Sequence, residues 1–172
     1  MSVLSGDEIK RLINEGKLGI TPFTESQVGP ASVDLRLGDL FRVFNKTRDI
    51  FQVTDSSDYS NITRMIHVKE GDSLLVMPGE LVNGITFEKI SLPDDICGRV
   101  EGRSRFARIG LLTHISSSFL QPGVSNKIVL EIANLSPTPL ALHPGTRICQ
   151  IVLEELKGKG RYKGKFSTQT KP

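Results

Sequence analysis

The sequence predicts a mainly β fold, either a sandwich or a closed barrel, with one short helix at the N-terminus and a second short helix inside the chain. Short apolar or alternating segments follow one another along most of the 172 residues. Clusters rich in Gly, Pro, Asp and Ser separate these segments at intervals of roughly 8–12 residues, as is typical of all-β domains. The length suits a single domain that can bury a hydrophobic core.

The first element is the N-terminal helix. Ser5 and Glu8 have the spacing of a capping box, in which the serine side chain accepts a hydrogen bond from the Glu8 amide and the glutamate reaches back. Isoleucine and leucine side chains then recur at helical spacing until Gly16, a residue at which helices commonly end.

The rest of the chain predicts strands and one further helix. The candidate strands are residues 33–43, 50–53, 73–76, 80–87, 96–100, 111–115, 128–134, 140–142 and 147–153. Residues 103–108 interrupt this pattern, because they lack strand alternation. A short helix there would place Ser104 and Arg108 on one face.

The charge of the chain is concentrated at its C-terminus. There are 22 Lys and Arg against 19 Asp and Glu, and the formal net charge is +3. Residues 157–172 contain six basic residues and no acidic one, which leaves 16 basic against 19 acidic residues, or −3, in residues 1–156. We therefore divide the chain into a folded domain, 1–156, and a basic C-terminal segment, 157–172. A uniformly basic nucleic-acid-binding domain is excluded, and the basic segment needs its own explanation.

Other classes find little support in the sequence. No apolar run approaches the ~18–20 residues that a membrane helix needs, and the N-terminus lacks the apolar segment of a signal peptide. We expect a cytoplasmic protein without membrane contact, in which Cys97 and Cys149 are reduced. The three histidines and the two cysteines lack the spacing of zinc ligands, and so we predict no metal site made by the protein.

Two features between residues 100 and 134 suggest chemistry. Arg103, Ser104 and Arg108 cluster at the start of the predicted internal helix, where backbone amides and guanidinium groups favour phosphate oxygens. Glu131 lies in an otherwise apolar strand, and alternation places it on the same face as Val129. A carboxylate on a partly dry face has a raised pKa unless it is paired, as a general base requires. An exposed glutamate on an edge strand would give the same pattern.

Six blocks of sequence also follow one another in a characteristic order. They are residues 27–38, the run Gly-Arg-Ser-Arg-Phe-Ala-Arg-Ile-Gly at 102–110, Pro122-Gly123, Val129-Leu-Glu131, residues 139–150 and residues 162–169. In this order they resemble the dCTP deaminases, members of the dUTPase-like superfamily, from about Leu4 to Gln169. The resemblance implies a distorted β-barrel or jelly-roll-like fold, a homotrimer with active sites at the subunit interfaces, and a triphosphate substrate that carries Mg²⁺.

The resemblance further implies conversion of dCTP and water to dUTP and ammonia without zinc. Glu131 falls where the family has its general base, and Ser104 and Arg108 fall at the other catalytic positions, near the water and the triphosphate. Residues 115–117 fall where the family reads the pyrimidine edge, and residues 157–172 would form a lid over the nucleotide. The implied substrate-binding residues are Arg103, Arg105, Ile115, Ser116, Ser117, Gln121, Val129, Tyr162, Lys165 and Gln169.

Three positions depart from the family pattern. Gln121 stands where Asp is usual, and because a neutral amide cannot activate water as a base, it favours deamination over hydrolysis of dUTP. Arg105 replaces a usual Ser, and Ser117 replaces a usual Ala. The alternatives are a dUTP diphosphatase or a bifunctional enzyme, a non-catalytic nucleotide-binding regulator, and a nucleic-acid-binding role for the basic segment. The leading interpretation gives dCTP and dUTP as partners, dTTP as a candidate inhibitor, and no nucleic acid.

Overall fold

The computed structural model describes residues 2–172, and within them the chain is mainly β, as predicted. Its two α-helices are α1 (Gly6–Asn14) and α2 (Ser104–Ala107), and short 3₁₀ helices span Glu25–Gln27 and Tyr59–Asn61. The strands are β1 (Gly19–Thr21), β2 (Val33–Arg36), β3 (Leu40–Phe44), β4 (Thr63–His67), β5 (Leu74–Val76), β6 (Leu81–Ser91), β7 (Ile96–Gly102), β8 (Leu111–Leu112), β9 (Phe119–Leu120), β10 (Ser125–Asn134), β11 (Leu140–Leu142) and β12 (Arg147–Glu155).

The strands form three antiparallel sheets. The largest has the order β4-β3-β6-β10-β8, with β1 also paired to β6. A second sheet has the order β2-β12-β7-β9, and β11 pairs with β5 in the third. The sheets do not close into one continuous barrel, so that the barrel-like description applies to their packing around a common core. The inward side chains of β10 and β12, such as Leu130 and Ile151, are fully buried in that core.

Local signals predicted the helices correctly. The Ser5 side chain accepts a hydrogen bond from the Glu8 amide at 3.3 Å, and α1 ends just before Gly16, whose φ is +69°. The side chain of Glu8 pairs with Arg11 at 2.5 Å rather than reaching back to Ser5. The internal helix also forms, as α2. No helix within residues 2–172 is long and apolar enough to span a membrane.

The strand predictions were less complete. The predicted strand 50–53 is wrong, because this segment pairs with no neighbour and the side chains of Ile50 and Val53 are 85% and 89% exposed. Strands β1, β4 and β9 were not predicted. The predicted strand 33–43 is divided into β2 and β3 at Gly38, where a Cβ atom would lie 2.9 Å from the carbonyl oxygen of Ile85. Of the predicted strand 111–115, only Leu111–Leu112 forms.

Candidate active site

A cavity of about 380 Å³ opens where β10 and β6 lie side by side, next to the C-terminal segment. The residues predicted from the sequence that line it are Ser117, Gln121, Val129, Glu131, Tyr162 and Gln169. Aromatic and amide side chains that were not predicted also line it, namely Tyr59, Asn83, Phe119, Asn126 and Phe166. Rings and amides around one carboxylate suit a small planar ligand with polar edges.

Strand β10 positions Glu131 in this cavity. Its side chains alternate, with Ile128, Leu130 and Ile132 buried in the core and Val129 and Glu131 half-buried on the cavity side. The predicted alternation of this strand is therefore confirmed. β10 lies between β6 and β8 in the sheet, with β6 paired along most of its length and β8 paired only at Ala133 and Asn134, so that the backbone at Glu131 itself is paired on the β6 side.

The carboxylate of Glu131 is held by the loop that follows β8. Its Oε2 atom accepts hydrogen bonds from the backbone amides of Ile115 at 2.8 Å, Ser116 at 2.6 Å and Ser117 at 3.3 Å. Its Oε1 atom accepts one hydrogen bond, from the Ser116 hydroxyl at 3.0 Å. Oε1 thus keeps room for a further donor, such as a water molecule in the cavity.

These contacts decide the protonation state of Glu131. Burial raises the pKa of the carboxyl group, but the hydrogen bonds from Ser116, Ile115 and Ser117 lower it and prevail, so that the pKa lies below its ordinary value. The sequence predicted a raised pKa only for an unpaired carboxylate, and the hydrogen bonds supply the pairing that lowers the pKa of Glu131. The group is paired with backbone donors, and it stays ionised at neutral pH.

The hydrogen bonds to Glu131 also affect the role predicted for residues 115–117. Their amides were predicted to lie where the pyrimidine edge is read, and in the structure these amides point to Glu131 instead. The side chain of Ile115 is half exposed and does not line the cavity, whereas Ser117 does. Recognition of the base by this loop therefore stays a prediction.

The predicted phosphate-binding residues lie apart from this cavity. Ser104, Arg105 and Arg108 are exposed on α2 or at its end, and none of them lines the cavity. Lys165 also lies outside the lining, with its Nζ atom 5.7 Å from the centre of the Phe166 ring. Within one chain, the structure therefore does not bring these groups together with Glu131.

Arg103 is anchored to the second sheet. Its Nη2 atom lies 3.0 Å from Oδ2 of Asp34, and its Nη1 atom donates a hydrogen bond to the carbonyl oxygen of Arg147 at 2.9 Å. Asp34 belongs to β2 and Arg147 to β12, so that two strands fix the residue that precedes α2. This anchoring fixes the position of the first turn of α2, and with it the positions of Arg105 and Arg108.

The C-terminal segment forms one wall of the cavity. Its backbone runs beside the start of β10, where the amide of Lys127 donates to the carbonyl of Gln169 at 3.0 Å and the amide of Ser125 donates to that of Ser167 at 2.9 Å. Asn126 adds a side-chain hydrogen bond to the carbonyl of Phe166 at 2.8 Å. These bonds place Tyr162, Phe166 and Gln169 in the lining, next to Glu131.

The cavity-lining residues that were not predicted differ in how far the sequence could have indicated them. Asn83 was detectable in principle, because it is a polar residue within an apolar strand, as Glu131 is. Tyr59 had no such signal, since it lies in a turn between β3 and β4 and reaches the cavity only through the tertiary fold. Within residues 2–172, no group of three or more His, Cys, Asp and Glu side chains could hold a metal ion.

Comparison with known proteins agrees with this architecture. Residues 3–156 match the family described as dCTP deaminase-like. The chain is 44% identical over 154 residues to the "dCTP deaminase, dUMP-forming" of Mycolicibacterium vanbaalenii, covering 90% of this chain and 80% of that enzyme. It is 38% identical over 177 residues to the enzyme of the same name from Corynebacterium kroppenstedtii, covering 99% of this chain and 94% of the relative.

A solved structure shares the fold. The 2'-deoxycytidine 5'-triphosphate deaminase of Agrobacterium tumefaciens superposes with a TM-score of 0.69 at 22% identity, over 90% of this chain. The superposition covers 49% of that protein, so that this chain spans about half of its length. From the match over residues 3–156 and the identity to these relatives, the chain belongs to the dCTP deaminase-like family.

Proposed function

We propose that this protein deaminates dCTP by hydrolysis, with Glu131 as the general base. The observation that carries the proposal is an ionised carboxylate, held by three backbone amides, on the wall of a cavity in a chain of this family. Oε1 of Glu131 would hold the water, because it accepts only one hydrogen bond from the protein. A positioned base of this kind typically contributes about 10²–10⁴ to the rate.

The position of Glu131 suggests the steps of the proposed deamination. Glu131 takes a proton from the water while the water oxygen attacks C4 of cytosine and the π electrons of the C4=N3 bond move to N3, which receives that proton from the carboxylic acid. The result is a tetrahedral centre that carries both a hydroxyl and an amino group. The carboxylate then takes the hydroxyl proton and passes it to the amino nitrogen; as the C4 carbonyl forms, the bond from C4 to that nitrogen breaks, and the products are a uracil nucleotide protonated at N3 and ammonia. Because Glu131 activates the water, the proposed reaction needs no zinc.

We propose a trimer, as the family resemblance implies, in which each site is shared between subunits, and the charge of the cavity supports the sharing. Among the residues 2–172 that line it, none is basic, while Glu131 is negative. A triphosphate with its Mg²⁺ needs cations, and magnesium itself prefers phosphate oxygens and water as ligands. We therefore propose that Arg103, Ser104, Arg105 and Arg108 serve the cavity of a neighbouring copy, and that Lys165, on the C-terminal segment that forms a wall of the cavity, contacts phosphate when the nucleotide binds.

A shared site has a specific test. Glu131→Gln and Arg108→Ala chains should each be inactive alone, and after unfolding and refolding together they should recover activity, because mixed trimers contain sites with both residues intact. Random mixing leaves about a quarter of the interfaces with both native groups, if each site draws on two copies. No recovery in mixtures that are shown to be mixed trimers would place both residues in one chain's site.

The relatives favour a second candidate for the product. Both relatives named above are called dUMP-forming, which implies that the triphosphate is also cleaved. Gln121 is exposed at the cavity and carries no negative charge, and so it offers no second base for that cleavage. Deamination to dUTP and the bifunctional reaction to dUMP thus differ in whether the triphosphate is cleaved once ammonia has left.

One experiment separates these functions. The purified protein is incubated with Mg²⁺ and either dCTP or dUTP, and ammonia, the nucleotides and pyrophosphate are measured. Ammonia and dUTP from dCTP, with dUTP left intact, would establish the deaminase. Ammonia, dUMP and pyrophosphate from dCTP would establish the bifunctional enzyme, whereas dUMP and pyrophosphate from dUTP without ammonia from dCTP would establish a dUTP diphosphatase. Binding of either nucleotide without any product would refute the proposal and favour a nucleotide-binding regulator.

A further inference from the structure

Three polar residues form a row across the middle of the large sheet. In the register of the antiparallel strands, Asn83 on β6 lies directly opposite Glu131 on β10 and directly opposite Arg42 on β3. Residues opposite each other in antiparallel strands point to the same face, with Cβ atoms about 4.5–5.5 Å apart. Asn83 therefore stands between the carboxylate and the guanidinium group, on the cavity side of the sheet.

The outer two residues of the row are engaged within the chain. Glu131 accepts four hydrogen bonds from the loop at residues 115–117. Arg42 donates to the carbonyl oxygen of Pro172 at 2.6 Å and to the Thr63 hydroxyl at 3.2 Å, and it lies over the ring of Tyr59 at 5.0 Å. Neither side chain is therefore available as the main hydrogen-bonding partner for the polar edge of a ligand.

Asn83 differs from both neighbours. It is half-buried and lines the cavity, and within residues 2–172 its side-chain amide makes no hydrogen bond to the protein. The adjacent residues of β6, Val82 and Gly84, are buried, so that packing of the strand does not require an amide at this position. A donor and an acceptor are thus presented to the cavity beside the proposed base.

We propose that Asn83 binds the C4–N3 edge of the pyrimidine and is a specificity-determining residue of this site. The inference rests on the proposed function, because it takes the cytosine nucleotide as the ligand. The Oδ1 atom would accept from the 4-amino group, and the Nδ2 group would donate to N3. An asparagine amide pairs with the amino group and ring nitrogen of adenine in the same bidentate manner.

The geometry is compatible with attack by water. Glu131 lies on the neighbouring strand, whose backbone is about 4.8 Å from that of β6, so that it stands beside a ring bound at Asn83. In this arrangement, the water held by Oε1 would approach C4 from the face of the ring, which is the direction from which a nucleophile attacks. Rotation of the amide by about 180° would present a donor to O4 and an acceptor to the N3 hydrogen of uracil, so that the product is held as well.

The test replaces the amide by an apolar group of similar size. Asn83→Leu should raise KM for dCTP about tenfold and weaken dUTP binding by a similar factor, with kcat within about threefold, because the bonds are made in both the ground and transition states. Asn83→Asp offers only acceptors, and so it should weaken binding of dCTP and of dUTP by a similar factor, because each ring edge loses the one hydrogen bond that the amide NH₂ group donates to it. Lys89→Leu, at an exposed position on the same strand, is the matched control and should leave both constants unchanged.

The outcomes are distinguishable. An Asn83→Leu protein that melts like the wild type and keeps KM for dCTP and the Kd for dUTP within about twofold would refute the contact. A fall in kcat at unchanged KM, with a shifted pH profile, would show that Asn83 orients Glu131 and would also refute it. If the wild-type chain releases no ammonia from dCTP, the proposed function fails, and calorimetry of nucleotide binding to the Asn83 variants still decides the contact.

Discussion

Replacing Glu131 by Gln isolates the loss of the proposed base from the loss of structure. A glutamine keeps one oxygen acceptor, which can take the place of Oε2 and retain the three backbone donors from residues 115–117. Its NH₂ group then faces the hydroxyl of Ser116, which can reverse its role and accept. Every hydrogen bond of the carboxylate therefore has a replacement, although with a neutral partner.

The cost of Glu131→Gln to stability and its effect on kcat are estimated separately. Hydrogen bonds to a charged group contribute about 1.5–3 kcal/mol each and neutral ones about 0.5–1.5, a difference of about 1–1.5 kcal/mol per bond, so that the four bonds of Glu131 set an upper limit of about 4–6 kcal/mol on the cost of Glu131→Gln to the free energy of unfolding. In a domain of this size, that limit corresponds to a fall in Tm of roughly 10–20 °C, at about 2–4 °C per kcal/mol. Loss of the base should lower kcat by about 10²–10⁴, or roughly 3–5 kcal/mol of transition-state stabilisation.

The assay follows ammonia release from dCTP at saturating Mg²⁺, and calorimetry measures dCTP binding to the same preparation. We expect kcat of Glu131→Gln to fall at least about a hundredfold, while the Kd for dCTP stays within about threefold. Glu155→Gln is the matched control, because Glu155 is exposed and bonded to the Ser2 hydroxyl outside the cavity. A Glu131→Gln enzyme with near-normal kcat would show that another group takes the proton.

Three further predictions concern pH, the core and the thiols. The acid limb of the pH–rate profile that belongs to Glu131 should lie below pH 4.5, because backbone hydrogen bonds keep the active, ionised carboxylate from protonating above that pH; a midpoint near neutrality would contradict this. Phe41→Ala should cost about 3–5 kcal/mol in denaturant unfolding, because the ring is fully buried, whereas a cost under about 1 kcal/mol would show that the site is not packed. Burial raises the pKa of both Cys97 and Cys149, so that neither thiol should react with Ellman's reagent until the chain unfolds, and rapid reaction in the native state would be inconsistent with this core.

The parts of the fold that could be predicted are those specified by neighbouring residues. The cap at Ser5 and the end of α1 before Gly16 depend on residues three or four positions apart, and the sequence contains all of them. The alternation of β10 likewise needs only the strand itself. Residues 50–53 show the limit of this reasoning, because an apolar run becomes a strand only when another strand pairs with it, and none does.

The site shows the same limit in its chemistry. The sequence placed Glu131 on a half-dry face, and from that alone burial predicts a raised pKa. The donors that reverse the shift belong to residues 115–117, which lie 14–16 positions earlier in the chain. Only the pairing of β10 with β8 brings that loop to the carboxylate. Its position on the strand could be predicted, whereas its protonation state could not.

The proposed role of Asn83 changes what Gln121 implies about the product. Glu131 is the single carboxylate side chain among the residues 2–172 that line the cavity. If Asn83 holds uracil as well as cytosine, dUTP remains at that carboxylate after ammonia leaves, and cleavage of the triphosphate needs a base that Gln121 cannot supply. A dUMP-forming enzyme with this sequence would therefore use Glu131 in both steps, or borrow a carboxylate from another copy. Glu131→Gln given dUTP decides between them, because the first arrangement loses dUMP formation and the second retains it.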